Sequence, residues 1–346
     1  MHRFDYSFLA DTIPAGLLSS ATLISELKTK EIAYKDKHGS VFKKLESIAI
    51  VQSVKGSNAI EGIATTDKRI EAIVNQNSAP LGHNESEIAG YRDALALIHQ
   101  NYADLSISEA VIKQLHEILL TFTPAIGGFY KETDNAIIEI DGSGNRFIRF
   151  MPISASQTES AMEQLMLAFI DAQFDTSINQ LLLIPCFILD FLCIHPFYDG
   201  NGRISRLLSL LLLYKHGFDA GRYISFEEQI YKSRTAYYDS LHESSIGWHE
   251  NESSYFPFIQ NFLNTLLVCY VELDKRFALL STGNVSKTQR IEAAVINSLL
   301  PISKSEIAYI LPDVSISTIE AALARMLKRN EIKKLGSGPT TKYIKI

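Results

Sequence analysis

The sequence predicts a mainly α protein: a long helical bundle interrupted by one β-hairpin and followed by a small mixed domain. Three observations point there. Apolar residues recur at helical spacing through most of the first 281 positions. Two β-prone runs, Ala136–Ile140 and Arg146–Phe150, flank Asp141-Gly142-Ser143-Gly144-Asn145, a cluster of turn-forming residues. After the small polar linker Ser281-Thr282-Gly283-Asn284 the charge balance reverses. Val285–Ile346 has ten Lys and Arg against five Asp and Glu, about +5, leaving about −11 on the rest of a chain whose formal total is −6.

The elements follow in order. Leu17–Lys30 and Val41–Lys55 read as amphipathic helices, and Glu85–Gln100, Ser108–Leu120 and Ser154–Gln173 as three more. Asn179–Ile194 is strongly apolar but short, and it contains Pro185 and Asp190, so it is a core helix and not a membrane span. Arg203–Lys215, with its apolar run Leu207–Leu213, is a second buried helix, and Ser225–Glu243 and Tyr255–Ser281 complete the bundle. In the tail, helices are expected over Gln289–Leu300, Ser305–Leu311 and up to Arg329. Ser303-x-x-Glu306 and Ser317-x-x-Glu320 read as capping boxes for the last two. Strands at Lys333–Leu335 and Thr341–Ile344 around Gly336-Ser337-Gly338-Pro339 then form a wing. The expected division is 1–110, 111–281 and 285–346.

With 346 residues, 46% of them hydrophobic, the chain buries a sizeable core. Met1-His2-Arg3-Phe4-Asp5 opens no signal peptide, so a cytoplasmic protein without membrane contact is expected. Cys186, Cys193 and Cys269 sit in apolar runs without metal spacing and read as reduced, buried thiols. No His-Glu-x-x-His pair occurs, and no zinc site is expected.

Chemistry concentrates in His195-Pro196-Phe197-Tyr198-Asp199-Gly200-Asn201-Gly202-Arg203-Ile204-Ser205-Arg206. Gly200 and Gly202 let the chain bend through positive φ and present N–H groups at the start of a helix, where an anion is favoured. Asn201 adds an amide donor. Arg203 and Arg206, three apart, project from one helix face and suit bidentate phosphate contacts. Asp199 offers a hard oxygen of the kind Mg²⁺ accepts alongside phosphates, and His195 is the group able to take a proton near neutral pH. Phe197 anchors the loop in the core.

His195-x-Phe197-x-Asp199-Gly200-Asn201-Gly202-Arg203-x-x-Arg206 resembles, without a departure, the signature of Fic-domain proteins. The resemblance implies a Fic-type helical bundle and the transfer of AMP from ATP to a protein hydroxyl. It makes His195 the base for a target Ser, Thr or Tyr and Asp199 the Mg²⁺ ligand bridging the α- and β-phosphates. It puts Gly200, Asn201 and Gly202 at the α-phosphate, Arg203 at the β-phosphate and Arg206 at the γ-phosphate. Tyr237-Tyr238-x-x-Leu241 looks similar to the adenine-side segment of relatives, which makes Tyr238 either a nucleotide contact or packing.

Ser57-Asn58-Ala59-Ile60-Glu61-Gly62 resembles the inhibitory Ser/Thr-x-x-x-Glu-Gly/Asn helix of many Fic proteins, here spanning about 41–62. By that resemblance Glu61 pairs with Arg206 and takes the place of the γ-phosphate. The carboxylate would consume the arginine's donors and repel ATP's terminal charge. The hairpin over about 136–150 is similar to the flap on which relatives hold a target segment by strand addition, though a hairpin that only covers the core has the same sequence. Lys131 in Gly128-Phe129-Tyr130-Lys131 stands where relatives often have arginine.

The tail resembles a winged helix. Arg325, Lys328 and Arg329 lie at the C-terminal end of its third helix, while the N-terminal half offers Thr318 and Glu320, which favours contact with DNA phosphates or none over base reading. Protein contact, including a homo-oligomer, is the alternative. Three functional readings result: a self-inhibited protein adenylyltransferase using ATP and Mg²⁺; a DNA-binding regulator whose Fic core senses nucleotide; or removal of AMP, or another phosphate-group transfer, at the same site.

Overall fold

A computed structural model describes residues 2–140, 145–281, 286–296, 298, 301–338 and 341–346. Asp141–Gly144 of the hairpin turn, Thr282–Asn284 of the linker, Leu300 and Pro339 lie outside the described residues. The chain packs as two units, one of Met1–Glu26 with Ala49–Cys269 and one of Leu27–Ile48 with Tyr270–Ile346. Helix α1 (Ala15–Ile60) is 46 residues long and broken only at His38 (φ −131°, ψ 35°), where two separate helices were expected.

The first unit is helical apart from its hairpin: α2 (Asp67–Gln76), α3 (His83–Asn101), α4 (Glu109–Leu120), α5 (Ala155–Phe174), α6 (Gln180–Ile194), α7 (Asn201–Lys215), α8 (Phe226–Lys232), α9 (Arg234–Ser245) and the first half of α10 (Phe256–Ser281). Helix α2 was missed by periodicity; it starts where the Thr66 hydroxyl accepts the Arg69 N–H and stops where Asn77 turns left-handed (φ 50°). The single helix expected over Ser225–Glu243 is two, because Ser233 leaves the helix (φ −114°, ψ 28°). Helices α3 and α4 cross closely at Gly90, where a Cβ would run into the Leu119 carbonyl.

Helix α6 is the axis of this unit: each residue from Leu181 to Ile194 is buried. Asp190 is fully buried there and accepts from the Tyr6 hydroxyl (2.7 Å), Trp248 Nε1 (2.7 Å) and the Tyr255 hydroxyl (2.8 Å). Burial pushes its pKa up to about 7 against the pull of those three donors. The N-terminal segment is thereby tied to the helix whose end carries His195. Strands β1 (Ile137–Ile140) and β2 (Arg146–Phe150) pair antiparallel, with a bulge between Ile137 and Ile138 that shifts Ile138 onto Ile148.

In the second unit the rings of Tyr34 and Phe42 stack on Phe277, with centroids 5.0 and 4.5 Å away. Its remaining elements are α11 (Lys287–Ile296), β3 (Ile302–Ser303), α12 (Lys304–Ile310), α13 (Ile316–Lys328), β4 (Ile332–Leu335) and β5 (Lys342–Lys345), the strands ordered β3-β5-β4 and antiparallel. Ile291, Ile307, Leu323 and Met326 fill its core. The Ser303/Glu306 capping box is formed. The second expected box is not: α13 is capped by Ser315, and Glu320 reaches Lys304 instead (2.7 Å). Arg325 and Arg329, expected on phosphates, are used inside the unit, on Thr288 and Glu292 of α11. No helix among the described residues is long and apolar enough to cross a membrane.

Candidate active site

The site starts where α6 ends. His195 caps that helix in the left-handed region (φ 53°, ψ 59°), a conformation that costs a residue with a Cβ and turns the chain out of the core. Its Nδ1 lies 3.3 Å from the Leu192 carbonyl. A carbonyl only accepts, so Nδ1 carries the proton and Nε2 is left as the free base. Burial pulls the His195 pKa down to about 4, so the ring is neutral at physiological pH.

The loop after it is pinned from beneath. Phe197 is fully buried and stacked on His116 at 3.8 Å between centroids. His116 Nδ1 accepts the Gly128 N–H (3.0 Å), which fixes the proton on Nε2, 3.1 Å from the Asp199 carbonyl. Burial also lowers the His116 pKa, to about 4. Lys131 donates its backbone N–H to the Pro196 carbonyl and its ammonium to Ile194 and Asn135. Asn201 accepts from the Phe197 N–H (2.9 Å) and donates to its carbonyl (2.7 Å). The Asn201 amide, expected on the α-phosphate, closes the loop with its oxygen and one of its two N–H donors. No sequence signal marked His116, which lies 83 residues from Asp199.

Gly200 then turns left-handed (φ 82°) and caps α7. A Cβ on Gly202 would overlap the Glu61 carboxylate, so its lack of a side chain makes room for an anion at the start of the helix. Glu61 Oε1 lies 2.7 Å from Arg206 Nη2, while Arg206 Nε donates to the Ser57 hydroxyl (2.8 Å) and Nη2 also to the Ser57 carbonyl (2.9 Å). Burial alone would favour loss of the Arg206 proton, but the Glu61 charge, the neighbouring Tyr237 and Tyr91 and the Glu61 hydrogen bond together outweigh it and push the pKa up. Glu61 caps α1, and Gly62 (φ 79°) turns the chain away directly behind it. The segment is seated against α8: Gly56 packs on the Glu227–Glu228 backbone, and the Ser53 hydroxyl donates to Glu227 (2.8 Å). Those contacts were not legible from the motif.

Arg203 is buried and paired with Glu87 of α3, with its other terminal nitrogen 3.3 Å from Asp199 Oδ2. The two arginines thus meet two different glutamates. Asp199 Oδ1 accepts the Gly200 N–H (2.6 Å), yet 70% of the side chain is exposed. A single exposed carboxylate fits Mg²⁺ that is shared with phosphates and waters, and no group of three or more ligating side chains is present among the described residues.

Glu61, His195, Gly202, Arg206 and Tyr238 line one cavity of about 440 Å³, together with Ile137, Ile138, Arg149 and Phe150 of the hairpin and Tyr237, Leu241, His242 and Ser245 of α9. The size suits a nucleotide. Arg149 lies over the Tyr238 ring and donates to its carbonyl (2.7 Å), tying the hairpin to α9. Asp199, Gly200, Asn201 and Arg203 do not line the cavity.

Residues 106–213 match the Fic/DOC family model. A stretch of 79 residues is 38% identical to a Fido domain-containing protein of Dictyostelium discoideum, covering 20% of this chain and about half, 55%, of that protein. Among solved structures, a Fic family protein from Desulfovibrio desulfuricans G20 superposes with a TM-score of 0.62 at 19% identity over 97% of both chains. A Fic domain containing signaling protein from Bacteroides thetaiotaomicron gives 0.61 at 19% identity over 73% of this chain and 97% of its own. Fic-1 from C. elegans gives 0.58 at 20% identity over 77% and 73%. The family match thus identifies a Fic/DOC domain at residues 106–213, and the superpositions show that its fold is shared with these solved Fic structures.

Proposed function

We propose that this chain is a protein adenylyltransferase that moves AMP from ATP to a Ser, Thr or Tyr hydroxyl and is held off by its own Glu61. The observation that carries the reading is the Glu61 carboxylate over Gly202 at the N-terminus of α7, paired with Arg206, in the same cavity as a neutral His195 with a free Nε2. A protein carboxylate stands where an incoming phosphate would find N–H groups, helix dipole and guanidinium together. The Fic/DOC match over residues 106–213 supports phosphate-group transfer as the chemistry of such a site.

In the proposed reaction His195 Nε2 takes the target hydroxyl proton as that oxygen bonds to the α-phosphorus, and the bond from phosphorus to the pyrophosphate oxygen breaks in line. Asp199 would hold Mg²⁺, which neutralises phosphate charge. With Glu61 displaced, Arg206 is free to take the terminal phosphate. The exposed strand residues Ile138 and Ile148 offer the target an apolar ledge beside His195. Tyr238 and the α9 side of the cavity take the adenine. ATP as donor and three buried cysteines outside any disulfide fit a cytoplasmic setting. The 285–346 segment serves as a targeting module; with Arg325 and Arg329 engaged on α11, DNA contact would fall to exposed lysines such as Lys328, Lys333 and Lys334.

The test is the intact mass of the Glu61→Gly chain after incubation with Mg²⁺ and ATP. One added AMP per modified site, absent from Glu61→Gly/His195→Ala, is expected. An added phosphate, or no adduct with ATP binding intact, would replace this reading with phosphoryl transfer or AMP removal.

A further inference from the structure

Arg203 is a buried cation with two carboxylates in reach, and the contacts are unequal. It is drawn to Glu87, whose other oxygen meets His83 Nε2 at 2.8 Å, and it stands off Asp199 at 3.3 Å, longer than a charge-assisted bond prefers. Its Nε has no hydrogen-bond partner and its side chain is outside the nucleotide cavity. Glu87 is 6% exposed, so the pair is desolvated and its charge balance is strict. Without Glu87, the remaining carboxylate for this guanidinium would be Asp199, and the natural outcome is a two-bond fork that consumes both Asp199 oxygens.

We infer that Glu87 is a positioning residue for the metal side of the site: by holding Arg203 back it keeps the Asp199 carboxylate open for a divalent cation. Arg203 then acts through Asp199, as a buried counter-charge that steadies its rotamer. This rests on the reading of Asp199 as the Mg²⁺ ligand. It differs from the Glu61 contact in kind, because Glu61 lines the cavity and Glu87 does not.

Mn²⁺ affinity, measured by electron paramagnetic resonance on the full Glu61→Gly chain with a non-hydrolysable ATP analogue, tests it. Adding Glu87→Gln should weaken Mn²⁺ binding by about 10- to 100-fold while leaving analogue binding in chelator unchanged. Glu87→Asp keeps the charge and draws the guanidinium one methylene away from Asp199, so it should bind Mn²⁺ no more weakly than the parent. Circular dichroism on the same samples reports folding, and a misfolded Glu87→Gln leaves Glu87→Asp to carry the test. A folded Glu87→Gln with parental Mn²⁺ affinity, or a folded Glu87→Asp that loses it, overturns the inference. A parent chain that binds no Mn²⁺ overturns the metal reading of Asp199 itself.

Discussion

Arg206 and Arg203 stand one helical turn apart on α7 and each faces a glutamate, yet the two pairs are built for different ends. Glu61 is the last residue of its helix turn, 32% of its side chain is exposed, and Gly62 bends the chain away behind it. Glu87 sits inside α3, 7% exposed, backed by His83 on the same helix face. A carboxylate at a helix terminus can leave by fraying one turn; Glu87, buried in the second turn of α3, leaves only if that end of the helix unpacks. The difference teaches that equal ion pairs on paper divide into a lock and a fixture according to where the backbone places them.

The largest expected effect belongs to the machinery that both pairs serve. In the Glu61→Gly background, His195→Ala should lower the transfer rate by about 10²- to 10⁴-fold with ATP binding retained, because the imidazole acts on the nucleophile. Unchanged transfer would remove His195 as the base. Next comes the lock: Glu61→Gly should raise transfer by roughly 100-fold or more, the scale of one charge repulsion at close range in a partly shielded site. Ser57→Ala sharpens the comparison, since it deletes one hydrogen bond to Arg206 and leaves the charge pair; basal transfer should rise about five- to tenfold, a single bond's worth. His83→Ala, on the fixture, should not activate at all, and activation by it would erase the distinction.

The smallest effect is on pH. His195 must be unprotonated to act, and its pKa is lowered to about 4, so kcat/KM should stay flat from pH 8 down to about 5 and fall only towards pH 4. A fall centred near 6.5 would mean that burial does not hold the ring neutral. Stability moves the same way. His2, His116 and His195 are each pulled to about 4 by burial, so the unfolded chain takes up their protons first, and the part of stability they contribute is full above 6.5 and lost as pH falls to 4. Asp190, raised to about 7, opposes them over most of that range.

The sequence showed what is local. The loop from His195 to Arg206 is one contiguous run in which most residue types serve the turn or the chemistry, and the 57–62 motif closes on Arg206 as its resemblance to the inhibitory helix implies. Contacts set by packing were hidden. Glu87 and His116 carry no motif, and they reach the loop from helices 116 and 83 residues away in sequence. Asn201 reads as a phosphate donor by its type; only the fold shows that its amide also closes the loop on Phe197. The break within α1 at His38 and the Ser233 break before α9 are single-residue events that periodicity averages away.

The lock is the central claim, and the single-turnover rate of label transfer from ATP labelled at the α-phosphate tests it most directly, wild type against Glu61→Gly, with Mg²⁺ at pH 7. The account predicts slow labelling of the wild type and fast labelling of the variant, with ATP bound at least as tightly by the variant. Equal rates would contradict it, leaving Glu61 a helix cap whose contact with Arg206 holds structure alone.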